Sequence, residues 1–596
     1  MQPVRAWFTL LVSTLTLWLG AVPAGAEPAT CQVVRMSDIG WTDVTASTAL
    51  FAEMLSALGY QPKITVLSVP VTYAAMHNRD VDVFLGNWMP SQTADRAAFV
   101  ADHSVDVLGP MLTGAKYTLA VPQYSYDAGL RSFADIARFA GALDHKIYGI
   151  EAGNDGNRLV LGMLAAAKFN LGDFKLVESS EQGMLAQVER AYRVKQPVVF
   201  LGWSPHPMNL RFKMRYLEGG DTVFGPNFGG ATVFKNTRRG FSEQCPNVGR
   251  LLARYQLSVD ETNGLMSAIL DRHLSPAKAA LNWLAANPTR ARGWLNGVTT
   301  VDGAPAAPAL AHHMASLGGT VGGLGPKLPV GAVIASVIER VKTQAWFFNG
   351  ISAGITGLIG AITAFLILIP PWLATLVAAL GVWVAKRSAW LALFVAGALL
   401  LIINLGYWSA TMETLALVSV ATCTATLLGV PIGIAAGHRP ALAATLRPAL
   451  DLMQTLPTFV YLIPTLVLFG LGVAPGLIST VIFALPAPIR LTQLGIESTP
   501  KALLEAGQAF GATRRQLLFK VELPSAAPMI QAGITQCIML SLSMVVIAAL
   551  VGAGGLGTPV VRALNTVQVG MGFEAGLAIV LLAVILDRVM KPRKRP

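Results

Sequence analysis

The sequence is poor in charge and in cysteine. Of its 596 residues only 13% are Asp, Glu, Lys or Arg, 53% are hydrophobic, and four are cysteine. Soluble domains carry about 25% charged residues, so the composition excludes one soluble domain as the whole chain. The sequence contains no Gly-x4-Gly-Lys-Ser/Thr phosphate loop and no Gly-x-Ser-x-Gly elbow. It also has no dinucleotide-binding fingerprint at a strand-to-helix turn. These absences argue against a nucleotide site, a hydrolase and an oxidase in this chain.

Positive charge is concentrated in the second half. Lys and Arg number 27 against 25 acidic residues over 27–330, but 17 against 8 over 331–596. The excess lies in short loops between apolar runs and in the tail 591–596. This distribution is typical of cytoplasmic loops of membrane proteins, whereas a nucleic-acid-binding protein carries a basic face on a soluble domain. We therefore expect a membrane protein that binds no nucleic acid.

The N-terminus has the pattern of an export signal. Arg5 precedes the apolar run Trp7–Leu19, and Ala24-Gly25-Ala26 has the small-x-small form of a cleavage site. We expect cleavage after Ala26, the alternative being an uncleaved anchor helix; in both cases the domain that begins at residue 27 is extracytoplasmic. An oxidising compartment there permits a disulfide between Cys31 and Cys245. The remaining two cysteines lie in apolar runs and are expected to be small buried residues: Cys423 and Cys537.

Residues 27–315 alternate short β-type runs with helical stretches. This alternation predicts an α/β domain whose parallel sheets are covered by helices. A stretch rich in Gly, Ala and Pro, from Asp302 to Pro329, is typical of a linker, and we assign 316–345 to a linker and amphipathic segment. The all-α membrane domain is predicted over 346–590, followed by the basic cytoplasmic tail 591–596.

Seven apolar stretches are candidate spans: 371–385, 389–407, 411–437, 455–473, 475–490, 528–551 and 571–589. An odd number places the 27–315 domain outside and the basic tail inside. The further apolar stretch 352–369, cut off by Pro370-Pro371, is then interfacial or partly inserted. This topology leaves Arg562 as the main basic residue of an outer loop.

The loop after Arg490 carries the most specific motif. It reads Glu505-Ala506-Gly507-x3-Gly511, then nine residues to Val521-x-Leu523-Pro524. It resembles the EAA loop of ABC importer permeases, with Gly507 and Val521 as mild departures. Further stretches resemble glycine betaine/proline betaine permeases: Gln454–Pro464, Phe483–Pro486, Leu540–Val546 and Gly554–Gly557.

That resemblance implies a loop, over 501–528, formed by a helix, a turn at Gly511 and a second helix that stops before Pro524. In the family this loop docks on a separate ATPase subunit, which uses ATP-Mg. The chain is then a transport subunit without a cofactor or enzymatic activity of its own. A permease homodimer in the bacterial inner membrane is implied as well.

Four stretches of the exported domain place an aromatic residue beside small or turn residues, at Trp41, Trp88, Tyr117 and Trp203. Each ring alone is as well explained by core packing. Three of them follow β-type runs, however, and ligands of open α/β sheets lie beyond the carboxyl ends of strands. Grouped Trp and Tyr rings suit a quaternary ammonium ion, because this cation has no N–H to donate.

The exported domain resembles choline- and glycine-betaine-binding receptors of the type II periplasmic class, most closely the choline-binding branch, through Gly40–Asp43, Val81–Pro90, Gly153–Asn157 and Gly202–Pro207. The resemblance implies an α/β domain of two lobes that close around the solute. The resemblance implies an aromatic box of the four rings, with Asp43 and Asn154 meeting choline's hydroxyl. Asp43 would repel the carboxylate of betaine across a closed cleft; its alternative role is to cap the following helix. We expect turn or cap roles for Asp155, Asn157 and His206, and no metal site.

The sequence thus predicts a receptor and a permease of an ATP-driven importer in one chain, with choline as the expected solute. A glycine betaine or carnitine importer is the alternative. An ion-coupled secondary transporter is a further one, although it would have no use for an ATPase-docking loop. A membrane-anchored sensor matches neither the number of spans nor the domains.

Overall fold

A computed structural model describes residues 27–318, 330–342 and 344–591. The predicted export signal and most of the predicted basic tail lie outside the described residues. The chain forms two compact units, each assembled from several segments. The first contains residues up to Thr118, Gly202–Arg211 and Gly220–Lys327; the second contains Leu119–Leu201, Phe212–Gly219 and everything from Leu328 onward.

Nine strands form in the part before residue 240: β1 Val33–Asp38, β2 Gln61–Val66, β3 Val83–Met89, β4 Val105–Pro122, β5 Lys146–Tyr148, β6 Lys175–Val177, β7 Phe200–Ser204, β8 Met214–Tyr216 and β9 Gly230–Arg238. In the first unit β1 pairs in parallel with β2 and β3, while β9 pairs antiparallel with both β3 and β4. In the second unit β5 pairs in parallel with β6 and β7, and β8 is antiparallel to the end of β4. The two-lobe α/β fold is as predicted, but the sheets are mixed, not purely parallel.

Fifteen α-helices accompany these strands in the described residues up to 318: α1 Thr42–Ala57, α2 Val69–His77, α3 Thr93–Ala101, α4 Gln123–Asp127, α5 Asp155–Ala165, α6 Glu181–Arg193, α7 Met208–Arg211, α8 Asp221–Phe224, α9 Pro226–Gly229, α10 Phe241–Gln244, α11 Pro246–Arg254, α12 Val259–Leu270, α13 Pro276–Ala286, α14 Pro288–Trp294 and α15 Ala306–Gly318. Short 3-10 turns add Ala29–Cys31, Phe133–Phe139 and Lys168–Asn170.

Helix α15 corrects the predicted linker. It occupies the middle of the Gly, Ala and Pro-rich stretch, belongs to the first unit and packs against α1. His313 of α15 approaches Glu53 of α1, with Nε2 and Oε2 3.7 Å apart. The prolines at 305 and 308 fall at or near the start of this helix, where a missing amide hydrogen does no harm, so they do not interrupt it.

The described residues of the second half form helices joined by short loops: α16 Val330–Lys342, α17 Ala345–Leu368, α18 Pro371–Lys386, α19 Ala389–Asn404, α20 Trp408–His438, α21 Pro440–Thr455, α22 Thr458–Phe469, α23 Val473–Ala484, α24 Pro486–Glu497, α25 Lys501–Ala509, α26 Arg514–Leu517, α27 Leu523–Ala549, α28 Gly557–Asn565 and α29 Val569–Met590. A π-helical turn, Leu518–Glu522, joins α26 to α27.

Five stretches of these helices are long and apolar enough to cross a membrane: Trp346–Leu368, Trp408–His438, Val473–Glu497, Arg514–Ala549 and Val569–Met590. Helices α21 and α22 together make a sixth candidate, broken by a 93° bend. The predicted set of seven is therefore wrong in detail. The stretch predicted to be interfacial, 352–369, is a full-length candidate, whereas 371–385 and 389–407 form short apolar helices of 16 residues each.

Cys31 and Cys245 form a disulfide in the first unit, with their Cα atoms 5.7 Å apart. Cys537 is buried against Ala425 and Ala484, whereas Cys423, which was expected to be buried, is exposed. The disulfide closes a loop of 214 residues, which is long enough to restrict the unfolded chain strongly.

Asp82 is a buried carboxylate of the first unit that forms ion pairs with two arginines. Its carboxylate accepts hydrogen bonds from the guanidinium groups of Arg35 and Arg238, at 2.8–2.9 Å and 2.6 Å, and from the Arg35 amide. Burial opposes ionisation, but these bonds outweigh it and hold the pKa of Asp82 below its ordinary value of 3.8. The carboxylate therefore ties β1 and the end of β9 to the start of β3.

We predict that Asp82→Asn lowers the stability of the first unit by about 3–5 kcal/mol, because it leaves two arginines beside a neutral amide. The stabilisation by Asp82 is present above its unfolded pKa and is lost as the pH falls through its lower folded pKa. Scanning calorimetry of the full chain in nanodiscs checks both statements. The exposed Asp302→Asn is the control, and an equal effect of the two variants would contradict the prediction.

Candidate functional site

Aromatic rings cluster around Tyr117 in the first unit. Its ring centroid lies 6.0 Å from that of Trp88 and 6.2 Å from that of Trp203, the latter edge to face. Phe224 of α8 lies 6.1 Å away on a third side. All four side chains are buried, at 2–5% exposure. The predicted residues Trp88, Tyr117 and Trp203, which lie far apart in the sequence, are thus brought together.

Asp43 is joined to this cluster by a hydrogen bond. The indole Nε1 of Trp88 donates to Asp43 Oδ2 at 3.0 Å, and the carboxylate is only 1% exposed. Trp41, two residues earlier, is 6% exposed. A buried carboxylate beside a group of aromatic rings makes the surroundings electronegative, which favours a cation and disfavours an anion.

The alternative cap role of Asp43 is wrong. The residue before α1 is Trp41, which makes no side-chain cap, and Asp43 is the second residue of the helix. The turn is instead held by Asp38 at the end of β1, whose carboxylate accepts from the Gly40 amide at 2.9 Å and from the Thr45 hydroxyl at 2.8 Å. Asp43 is therefore available to Trp88 from the first turn of α1, where a negative charge is favourable.

Polar contacts hold the segments that carry Trp88 and Trp203. After Trp88, the Gln92 side chain donates to the Gly86 carbonyl at 3.1 Å and accepts from the Asn87 side chain. The amide oxygen of Asn87 in turn accepts from Arg96 at 2.9 Å. After Trp203, the His206 ring packs edge to face on the indole with centroids 4.8 Å apart. The Met208 amide donates to His206 Nδ1 at 2.9 Å, so His206 has the turn role that was expected.

Asn154 lies in the second unit. It is the N-cap of α5, its Oδ1 accepting from the amides of Gly156 and Asn157 at 2.8 and 3.1 Å. Its Nδ2 donates to Asp155 Oδ1 at 3.0 Å. Asn157 fixes the same turn by pairing with the Ile150 amide and carbonyl at 3.0 and 2.9 Å. Asn154 thus has a structural role as a helix cap, and its contact with a ligand stays a prediction.

The predicted coupling loop forms a compact knob, defined here as residues 501–522. Glu505, Ala506 and Gly507 lie on α25, and Gly511 makes the turn with φ +75°, which favours glycine. A Cβ at Gly507 would lie 2.6 Å from Leu517 Cδ2, so α25 and α26 approach closely at this departure from the family pattern. Thr513 and Gln516 form a capping box at the start of α26.

The second helix of the knob does not stop before Pro524, as the sequence predicted. It continues through the π-helical turn Leu518–Glu522 into α27, and Leu523 and Pro524 lie in the first turn of α27. Proline has no amide to donate, and the π-helical turn opens the regular hydrogen-bond ladder at this position. The knob is therefore directly continuous with the span Arg514–Ala549.

Large apolar side chains project from the knob into solvent. Phe510 is 93% exposed and Phe519 66%. Exposed phenylalanines on a basic surface loop are typical of a protein-binding surface. Sequence reasoning named neither of them, nor Phe224 of the ring cluster. The sequence pattern around Phe224 did not indicate a binding residue, because Phe224 ends a four-residue helix and follows no strand.

The described residues contain no cluster of three or more His, Cys, Asp or Glu able to hold a metal ion.

Residues 32–286 match the family model for the substrate-binding domain of ABC-type glycine betaine transport systems. Residues 429–591 match the model for the binding-protein-dependent transport system inner membrane component.

Relatives of the permease part are known. The glycine betaine transport system permease protein OpuAB of Bacillus subtilis is 46% identical over 266 residues, which cover 44% of this chain and 94% of the relative. The permease protein ProW of Escherichia coli is 43% identical over 264 residues, covering 44% and 74%. A solved choline-binding protein of an ABC transporter, in complex with choline, is 52% identical, with a TM-score of 0.48, covering 48% of this chain and 100% of its own.

The chain therefore belongs to the glycine betaine-type family of binding-protein-dependent ABC importers, and it joins the substrate-binding domain and the inner-membrane permease component in one polypeptide.

Proposed function

We propose that this chain imports choline, with the aromatic cluster of the first unit and Asp43 as the main determinants of specificity. The observation that carries the proposal is the bond from Trp88 Nε1 to Asp43, which sets a buried carboxylate beside the rings around Tyr117. A trimethylammonium group is attracted to ring faces by about 0.5–2 kcal/mol per ring when desolvated. Several rings together therefore give useful affinity without any hydrogen bond to the cation.

Choline is preferred to glycine betaine in this proposal because of the second functional group of each solute. The hydroxyl of choline can donate to a carboxylate, a charge-assisted bond. The carboxylate of betaine would meet Asp43 as a like charge in a poorly screened site. Glycine betaine, named by the matching family model and by relatives, is the competing solute. Binding of both solutes and of carnitine to the full chain in nanodiscs, by isothermal titration, tests the choice.

Transport requires partners. A separate ATPase subunit, which hydrolyses ATP-Mg, binds the knob and drives this importer. The exposed side chains of Phe510 and Phe519 supply apolar contact area for this binding. No cofactor is needed in the chain itself. The substrate-binding part lies outside the inner membrane, and two copies of the permease form the pathway.

We predict that Ala in place of Trp41, Trp88, Tyr117 or Trp203 weakens choline binding about tenfold or more, since tenfold corresponds to about 1.4 kcal/mol. Isothermal titration of the full chain measures the change. The matched control is Trp283→Ala, which removes a ring stacked on Trp294 in the same unit, at 5.4 Å between centroids. Unchanged affinity in all four variants, or an equal loss in the control, would contradict the aromatic box.

A further prediction concerns Asp43→Asn, which keeps an oxygen to accept from Trp88 but removes the charge. We expect choline to bind about tenfold more weakly while betaine binds equally or better, so that the preference shrinks. Competition binding with both solutes measures the ratio. Asp102→Asn, a change in an exposed loop, is the control. Equal weakening for both solutes would reduce Asp43 to a structural role.

Another prediction concerns the knob. Glu505→Ala and Gly511→Val are expected to abolish ATP-driven uptake into vesicles, because the first removes a charge from the docking helix and the second strains the turn at φ +75°. Choline binding by the same variants is expected to stay within about twofold of wild type. Co-purification shows whether each variant still binds the ATPase subunit. A variant that retains the subunit and transports normally would contradict the assignment of the knob as the docking site.

A further inference from the structure

Arg562 is a basic residue of an outer loop in the predicted topology, where the positive-inside pattern does not explain it. It lies on α28 in the second unit. Its guanidinium contacts Glu178 at the end of β6, with Nη2 and Oε2 2.6 Å apart. The Glu178 side chain is only 5% exposed, so this ion pair is weakly screened. A buried carboxylate without such a partner would be strongly disfavoured.

Glu178 also faces the turn that carries Asn154. Its other oxygen, Oε1, accepts from Asn157 Nδ2 at 3.2 Å. The same Nδ2 donates to the carbonyls of Ile150 and Glu151, and the Asn157 amide in turn is capped by Asn154. The ligand turn, defined here as residues 150–157, is thus joined through one carboxylate to an arginine of the permease.

The residues around Arg562 contact the ligand turn directly. Asn565 Nδ2 donates to the Ala152 carbonyl at 2.7 Å. A Cβ at Gly153 would lie 2.8 Å from Thr566 Cγ2, so the two segments approach closely. Ala152 is also buried with Ala549 and Val561 of the permease. The end of α28 therefore covers the outer side of the turn with both polar and apolar contacts.

The position of α28 is itself fixed by two spans of the permease. The amide of Leu556, just before α28, donates to the Thr414 hydroxyl of α20 at 2.9 Å. Val561 and Ala549 place α28 against α27. The position of Arg562 on α28 therefore depends on the positions of α20 and α27.

We propose that Arg562 is a positioning residue that docks the permease on the ligand turn through Glu178 and transmits movement of the spans to Asn154, so that solute is released. The inference rests on the proposed function in that Asn154 contacts the solute. The partner surface is the second-unit part of the receptor in the same chain, recognised by charge complementarity and by the Asn565–Ala152 bond.

Charge reversal tests the ion pair. With the full chain and its ATPase in vesicles, Arg562→Glu and Glu178→Arg are each expected to reduce ATP-driven choline uptake at least about tenfold, while Arg562→Glu leaves choline binding within about twofold. The double variant Arg562→Glu/Glu178→Arg is expected to recover at least about a third of wild-type uptake. Recovery would show that the two charges act as a pair, and choline binding retained by Arg562→Glu alone distinguishes lost docking from lost folding.

Two further variants guard against misfolding. Glu178→Gln retains an acceptor for Asn157 but loses the charge, and it is expected to reduce uptake while the chain still binds choline. Arg193→Glu on α6 breaks only an exposed pair within its own helix, with Glu189, and is expected to transport like wild type.

The outcomes separate the two proposals. Wild-type uptake by Arg562→Glu, or no recovery in the double variant that still binds choline, overturns the docking inference and leaves the proposed function standing. A wild-type chain that neither binds nor transports choline overturns the proposed function, and the same variants then decide docking with glycine betaine as the solute.

Discussion

A carboxylate removed from water must be given a cation or hydrogen-bond donors, and this requirement organises three places in the chain. Asp82 is shared by two arginines and joins three strands of the first unit. Asp43 accepts from the Trp88 indole and sets the orientation of a ring. Glu178 is divided between Asn157 and Arg562. The first carboxylate is structural, the second faces the proposed solute site, and the third joins the ligand turn to the permease.

Much of the aromatic site could be predicted from the sequence, because strand ends in α/β sheets are brought to common edges by the fold itself. Trp88 and Trp203 lie within or at the end of short β-type runs, and the structure places both beside Tyr117. Phe224 could not be found this way, since it reaches the cluster from a four-residue helix. The hydrogen bond between Trp88 and Asp43 could not be predicted either, because no local sequence pattern encodes a contact between residues 45 positions apart.

The membrane part shows where hydropathy alone is insufficient. Apolar composition identified the most apolar helices but missed others, such as α21 and α28, and it did not decide which helices are long enough to span. The stretch ending at Leu368 extends back to Ala345 as one helix of 24 residues, whereas Pro370, Lys386 and Arg387 bound a helix of 16. A helix of 16 residues is about 24 Å long, short of the roughly 30 Å hydrocarbon core. Likewise Pro524 was expected to end a helix, although proline is tolerated in the first turn of a new one.

The fusion changes what the docking contacts need to achieve. Helices α15 and α16 leave only residues 319–329 between them, a segment that reaches at most about 40 Å even when fully extended. A tether of this reach gives an effective concentration on the order of millimolar. An interface with a dissociation constant of about 1 mM, or about 4 kcal/mol, is then half occupied without any diffusing receptor. The Arg562–Glu178 pair and the Asn565–Ala152 bond are joined by bonds from the Leu471 amide to Gln187 and from Arg190 to the Leu468 carbonyl, and a few contacts of this kind are adequate for such an interface. A stronger one would hold the receptor on the permease after release of the solute and slow the next cycle.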